Sequence, residues 1–279
     1  MLFTQNIQAQ WVNESGTMIS ESGEVITVDD TPPLDSPYEK HLFKDRRLLP
    51  YDHIREADVM WEKRIWRVID VREAMNKPFS YPENPLASIL VDAALSGDVK
   101  AYSGIDDKFS TRLTEDQLND MLNERDTIIT FDPDTYEEKI KVVYNDFDPN
   151  SIKRYRIKEA WFFDEETSTM QVRILGIAPL KEEVDDFGNF RFEYPLFWVY
   201  YPHCRELLAH EQYFNETNAA SVMSWEDTFE MRYFASAIVK ESNVHDRRIQ
   251  DYKEGKDMLF EAERIKEGIR NYEHDLWTF

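Results

Sequence analysis

A single cysteine, Cys204, is all the thiol chemistry in this chain of 279 residues, which excludes an internal disulfide and any thiolate-rich zinc site. Glycine is scarce at eight residues. None of them builds a GxxxxGK[ST] loop or a GxGxxG fingerprint, so a glycine loop cradling phosphate in its usual form is excluded. No GxSxG elbow presents a serine for attack. No run of about 18 apolar residues exists to span a bilayer as a helix. Positive charge is also in deficit, with 33 Lys and Arg against 55 Asp and Glu and a net charge of −22. The densest basic runs, Lys44–Arg47 and Lys153–Lys158, have acidic neighbours. Nucleic acid and anionic lipid surfaces are therefore poor partners.

What the chain does have is aromatic mass: 17 Phe, 14 Tyr and 7 Trp, within a hydrophobic share of 42%. That is enough to build a core, so wholesale disorder is excluded. The length fits one large or two modest domains at roughly 100–200 residues each. Residues 1–9 carry Leu2-Phe3 and then Ile7-Gln8-Ala9, the pattern of an export-signal remnant with a cut after the small Ala9 and a mature start at Gln10. Residues 10–50 are polar, with Ser15-Gly16, Ser22-Gly23 and Thr31-Pro32-Pro33. They read as an extended arm, because such a segment buries too little apolar surface to offset its ordering entropy. Val25, Ile26 and Val28 form a short strand candidate on it, suited to docking on a neighbour's sheet edge.

The rest, 51–279, reads as a single domain. Ile54, Ala57, Trp61, Ile65, Val68, Arg72 and Met75 recur in steps of three and four and predict a buried helix, stopped at Asn76-Lys77-Pro78. A second helix is expected over Pro85–Ser96, and a third opens at Thr114–Gln117 with a capping-box pattern. From Thr127 the period becomes two. Strands are expected over Ile128–Phe131 and Ile140–Tyr144, a hairpin over Ile152–Phe163 and Thr169–Ile177, and a further strand over Phe190–Tyr201 with Pro195 at a bulge or edge. Helices follow at about 204–214, 225–241 and 253–277. The fold class is α+β: a mostly antiparallel, curved sheet of about five strands flanked by helices, with an extended N-terminal arm and C-terminal helices. In the last helix Met258, Ala262, Ile265, Ile269, Tyr272 and Leu276 form a seam, which could pack on the chain's own sheet or meet a partner. Together with Val25, Ile26 and Val28 they are the candidate partner-binding residues.

Catalytic and metal patterns come only as near misses. His210-Glu211 opens a zinc-protease pattern, but Phe214 stands where the second histidine is needed. Asp146–Asn150 opens a calcium loop, but Ser151 replaces its glycine and Ile157 its bidentate Glu, so a turn is expected. Cys204 follows His203, yet an inert buried thiol at a helix start is the simpler reading. No catalytic residue, metal or cofactor is assigned. A carboxylate-dependent hydrolase and a calcium-binding envelope module remain as alternatives.

The segment 57–75 (ADVMWEKRIWRVIDVREAM), with Trp61, Glu62, Lys63, Arg64, Trp66 and Arg67 at its centre and Pro78-Phe79 and Tyr81-Pro82 after it, resembles the signature of the GldN, or PorN, gliding-motility family. Further similarity runs through 152–163 (IKRYRIKEAWFF), Gly176–Pro179 and Tyr194–Trp198 to about Trp225. The resemblance implies a non-enzymatic periplasmic component of the type IX secretion system of Gram-negative gliding bacteria. Its expected partners are a GldK-like lipoprotein, forming a ring with neighbouring copies of this chain beneath the outer membrane, and the periplasmic domain of a GldM-like motor protein. The lipidated partner would hold the chain at the membrane, in keeping with the absence of a cysteine near its start.

Overall fold

In a computed structural model of the chain, the described residues are 17–19, 25–27, 37, 46–122, 124–131, 138–145, 147–185, 189–218 and 220–277. Two units separate by contact, Met1–His41 and Leu42–Phe279. The expected signal remnant, Val28 and Asp146 of the calcium-type loop lie outside the described residues. In the first unit β1 (Thr17–Ile19) and β2 (Val25–Thr27) pair antiparallel.

The second unit is built on a seven-stranded antiparallel sheet. Its strands run in the order β11 (Ala237–Glu241), β3 (Val59–Asp70), β7 (Arg154–Asp164), β8 (Thr169–Val184), β10 (Phe197–Tyr200) and β4 (Ala101–Ser103), while β9 (Phe190–Pro195) pairs with the far half of β8. Helices α1 (Leu86–Leu95), α2 (Glu115–Leu122), α3 (Tyr201–His210), α4 (Trp225–Glu230) and α5 (Lys256–Trp277) accompany it. β5 (Glu124–Phe131) and β6 (Glu138–Asn145) form a hairpin of their own. The α+β class stands, with seven strands instead of about five.

Of the five expected strands, those over 128–131 and 140–144 fall in the separate β5–β6 hairpin and that over 190–201 divides into β9 and β10, while β4 and two strands expected as helices complete the seven. Residues 54–75 hold β3, after a short 3-10 turn at Glu56–Asp58. The misleading signal was the four-residue step from Trp61 to Ile65 to Ile69: four residues return to one side of a helix and also to one face of a strand. β-branched and aromatic residues at 61, 65, 66, 68 and 69 and pairing on both edges favour the strand. The helix expected over 225–241 ends at Glu230. Arg232 takes a left-handed φ of 55°, with Arg232 N–H bonded to Phe229 O at 3.1 Å and Tyr233 N–H to Thr228 O at 2.8 Å. That is a Schellman stop with arginine where glycine usually sits, so the usual residue signal was missing. β11 then follows. Helix α3 covers 201–210, not 204–214, with Pro202 in its first turn.

Local chemistry held elsewhere. Ser224 and Asp227 form the capping box of α4, and Thr114 and Gln117 bond reciprocally at the start of α2. Pro195 sits where β9 gives way to β10, and Leu196 N–H reaches Pro179 O at 3.0 Å. One sheet face carries the main core, with Phe79, Tyr155, Trp225 and Phe229 at its aromatic centre.

Candidate interaction surfaces

Strand alternation divides the signature segment between two faces. Trp61, Lys63, Ile65 and Arg67 share one face of β3, and Glu62, Arg64 and Trp66 the other. On the first, Ile65 packs with Ile238, Ile249, Ile265 and Ile269, with Trp61 and Trp161 beside them. Trp61 stacks on Tyr272 at 4.7 Å with planes 20° apart. Met258 and Ala262 join the same cluster, and Leu276 is half-buried. Met258, Ala262, Ile265, Ile269 and Tyr272 of the α5 seam thus pack on the chain's own sheet. The outward side of α5 exposes Leu259 and Phe260 instead.

Beside that cluster lies Glu159 of β7, 0% exposed. Arg67 Nε donates to its Oε2 at 3.1 Å, Arg232 Nη2 to its Oε1 at 2.7 Å, and Trp161 Nε1 to Oε2 at 2.9 Å. A buried carboxylate is tolerable when its lone pairs are taken up by charged donors in this way. Burial lowers the affinity of Arg67 for its proton, and Glu159 opposes that shift. The Schellman turn, with its left-handed Arg232, is what delivers the second guanidinium. Above the network a cavity of about 450 Å³ is lined by Arg67, Arg232, Lys266, Arg270 and Trp161, with Glu273 as the lone acid lining it. Lys63 is ion-paired with Glu241 at 2.6 Å, and the exposed Arg64 with Glu62 at 3.2 Å. Trp61, Lys63 and Arg67 therefore hold β3 to its neighbours, while Glu62 and Arg64 pair along the strand itself.

The body begins earlier than residue 51. Arg46 is ion-paired with Asp227 and bonded to Val222 O at 3.2 Å. Tyr51 lies between two guanidiniums, Arg205 at 3.7 Å and Arg173 at 3.9 Å from its ring. Its hydroxyl bonds Glu230, and burial with that carboxylate raises its pKa. Such an anchor joins residues some 180 positions apart, and nothing in the local composition announces it.

Cys204 is buried, its thiol donates to Tyr200 O at 3.4 Å, and burial pushes it up to about 12, so it is no nucleophile at neutral pH. Phe214, at the place of the missing histidine, stacks on Tyr81 at 3.9 Å. Asp148 caps a 3-10 turn at Pro149–Ser151, and Ile157, at the twelfth position of the would-be calcium loop, is fully buried. Among the described residues the carboxyl groups displaced from ordinary values, Asp70, Asp106 and Glu261, all move down. A general acid working near neutral pH needs the opposite shift. No described helix is long and apolar enough to cross a membrane.

The family model of gliding motility associated protein GldN matches residues 54–278, from just before β3 to the end of α5. None of the curated proteins compared matches the chain.

Proposed function

Because the chain belongs to the GldN family and is thereby a component of the gliding-motility and type IX secretion machinery, we propose that it works there as a non-enzymatic scaffold subunit of the periplasm. In this reading it forms a ring with copies of itself and a GldK-like lipoprotein, and it contacts a GldM-like periplasmic domain. The observation that carries the reading is the extent of the family match, which takes in the whole sheet and the terminal helix. The use of the signature residues supports it: Trp61, Arg67 and their partners are committed to packing and internal ion pairs, the economy of a part that works by shape.

A ring subunit needs heterologous surfaces for its two neighbours. We assign one to the arm. A two-stranded hairpin such as β1–β2 is marginal by itself in water, and Val25, Ile26 and Val28 gain a sheet if they dock on an adjacent subunit. The α5 contact with a partner then falls to Leu259 and Phe260, while Met258, Ala262, Ile265, Ile269, Tyr272 and Leu276 support it from beneath. Co-purification from the cell envelope with the lipoprotein, followed by negative-stain imaging, tests this. Deleting residues 10–41, which spares the Arg46 and Tyr51 anchors, should abolish rings and leave the thermal transition of the remaining body unchanged. Rings of normal yield from the truncated chain would remove the arm from the proposal.

A further inference from the structure

The second face of the sheet holds a cavity that the scaffold reading does not use. It has a volume of about 360 Å³ and lies over β3, β7 and β10, between the loop Gly104–Phe109 and the loop leading from Asp246 to Asp251. Trp66 and Trp198 belong to its floor, and Arg156 and Lys240 line it. The first loop is held down at both ends. A side chain at Gly104 would meet Pro195 O at 2.1 Å, and one at Gly176 would meet the Phe109 ring at 2.5 Å. Phe109 takes a φ of 58° to lie there.

The lining sets Asp106, Asp107, Asp246 and Asp251 against Lys108, Arg156, Lys240 and Arg248, but its hydrogen bonds do not balance. Lys158 Nζ donates to Asp107 O at 2.5 Å, and Lys240 pairs with Asp246 at 2.6 Å while resting 4.3 Å from the Trp66 ring. Asp106 is taken by Ser110 and the Lys108 N–H, and Asp251 by the Arg248 N–H. Arg156 is different. Only 7% of it is exposed, yet its side chain forms no hydrogen bond or ion pair with any described residue, and its Nε is fully buried and unpaired. Trp66 Nε1 is likewise buried without an acceptor. Both orphans are donors, so the group that would complete the site is an acceptor. A buried cation without a hydrogen-bonded counter-charge is costly, and burial together with the nearby Arg248 brings the Arg156 guanidinium down to about 10, with Glu193 and Asp107 opposing the shift from a distance.

We propose that this cavity is a binding site for a carboxylate group, received in a fork by Arg156 with Trp66 Nε1 as a second donor. A planar monoanion matches the guanidinium edge. A second negative charge would be opposed by Asp106, Asp107, Asp246 and Asp251, which line the same cavity, so phosphate is the poorer fit. The carboxylate can arrive on a small acid or on a glutamate side chain of a polypeptide. Ile105, 99% exposed where it lines the cavity, offers an apolar contact beside the second of these.

Thermal unfolding of the full chain, with sodium acetate and sodium chloride compared at equal ionic strength, tests the assignment. Acetate should raise Tm in a saturable way beyond chloride, since a ligand of the folded state alone stabilises it by mass action. Acetyl-Glu-methylamide is the second probe. If it binds at least as tightly as acetate, the source is a polypeptide; if acetate alone binds, it is a small acid. Arg156→Met should weaken either probe roughly ten- to a hundredfold, the loss expected for a hydrogen bond to a charged group, and should raise Tm in carboxylate-free buffer. Trp66→Phe keeps the ring and removes one donor. It should weaken binding severalfold, and it serves as the test if the Met variant fails to fold. An acetate effect no larger than that of chloride, the same response in both variants as in the wild type, or tighter binding of phosphate would each overturn the proposal.

Discussion

Arg67 and Arg156 lie on neighbouring strands and are buried to the same degree, 9% and 7% exposed, yet among the described residues only Arg67 has an ion-pair partner. Arg67 points to the face closed by α5 and meets Glu159; Arg156 points to the opposite face and meets no acceptor. Strand alternation puts the two one step apart, so the sheet separates a charge-paired arginine from an unpaired one across the thickness of a single strand, although Arg232 Nη1 on the paired side is also buried without an acceptor. The difference teaches where to look for stability and where for recognition. A satisfied buried network rigidifies the fold, while a buried donor without an acceptor marks a place where the isolated chain is incomplete.

The strongest way to break the comparison is to make the closed face resemble the open one. Glu159→Gln removes the charge that Arg67 and Arg232 share and should cost about 3–5 kcal/mol, the loss seen when one partner of a buried ion pair is deleted. Urea denaturation measures it; a loss below about 1 kcal/mol would mean that the closed network is no more stabilising than the open one. Next comes Ile265→Ala beneath α5. It leaves a void in the Ile65–Ile238–Ile269 cluster and should cost about 2–3 kcal/mol, whereas a partner-facing seam would lose binding and keep its stability.

How far these two faces were legible beforehand follows from the range of the signals. Helix α1 and both capping boxes were readable because each is written within a dozen residues, and the β7–β8 hairpin because its two strands follow one another across a four-residue turn. β3 was not, since Trp61, Ile65 and Ile69 satisfy helical and strand spacing alike, and pairing with β7 nearly a hundred residues later decides between them. The seam residues of α5 were legible as apolar, but which surface covers them depends on Ile65 of that same misread strand. Glu159 among 55 acidic residues carried no mark of its own. Arg156 was invisible in principle: what distinguishes it is a missing acceptor in three dimensions, and no spacing encodes an absence.

A smaller effect bears on where the body starts. Tyr51→Ala removes the ring held between Arg173 and Arg205 and should cost about 1–2 kcal/mol, near the upper end for cation–π contacts because two cations lose their partner. Tyr51→Phe keeps the ring and isolates the hydroxyl bond to Glu230. If the alanine variant is as stable as the wild type by thermal unfolding, residues 46–51 belong with the arm and not with the sheet.

The smallest effect sharpens the contrast inside the open face itself. Arg154, two residues before Arg156 and on the same side of β7, is doubly paired, with Asp70 at 3.1 Å and Glu193 at 2.8 Å. Asp70 also accepts from the side chain of Arg72 at 2.8 Å, and that bond is the first cause holding its carboxyl far below the usual carboxylate range, with Arg154 adding to it. The folded pKa is depressed, so the stabilisation is fully present above the unfolded value of about 4 and is lost as pH falls from there toward the folded one. Partial exposure of the pair limits the contribution to about 1 kcal/mol. Asp70→Asn should therefore lower stability at pH 7 by that amount and flatten the decline below pH 4, while Arg156→Met should leave the acid limb nearly unchanged, because no described carboxylate is hydrogen-bonded to its side chain and Glu193 and Asp107 act on it only from a distance. An acid limb that responds to Arg156→Met instead would reveal an internal counter-charge for that arginine, and the open face would then be closed by the chain alone.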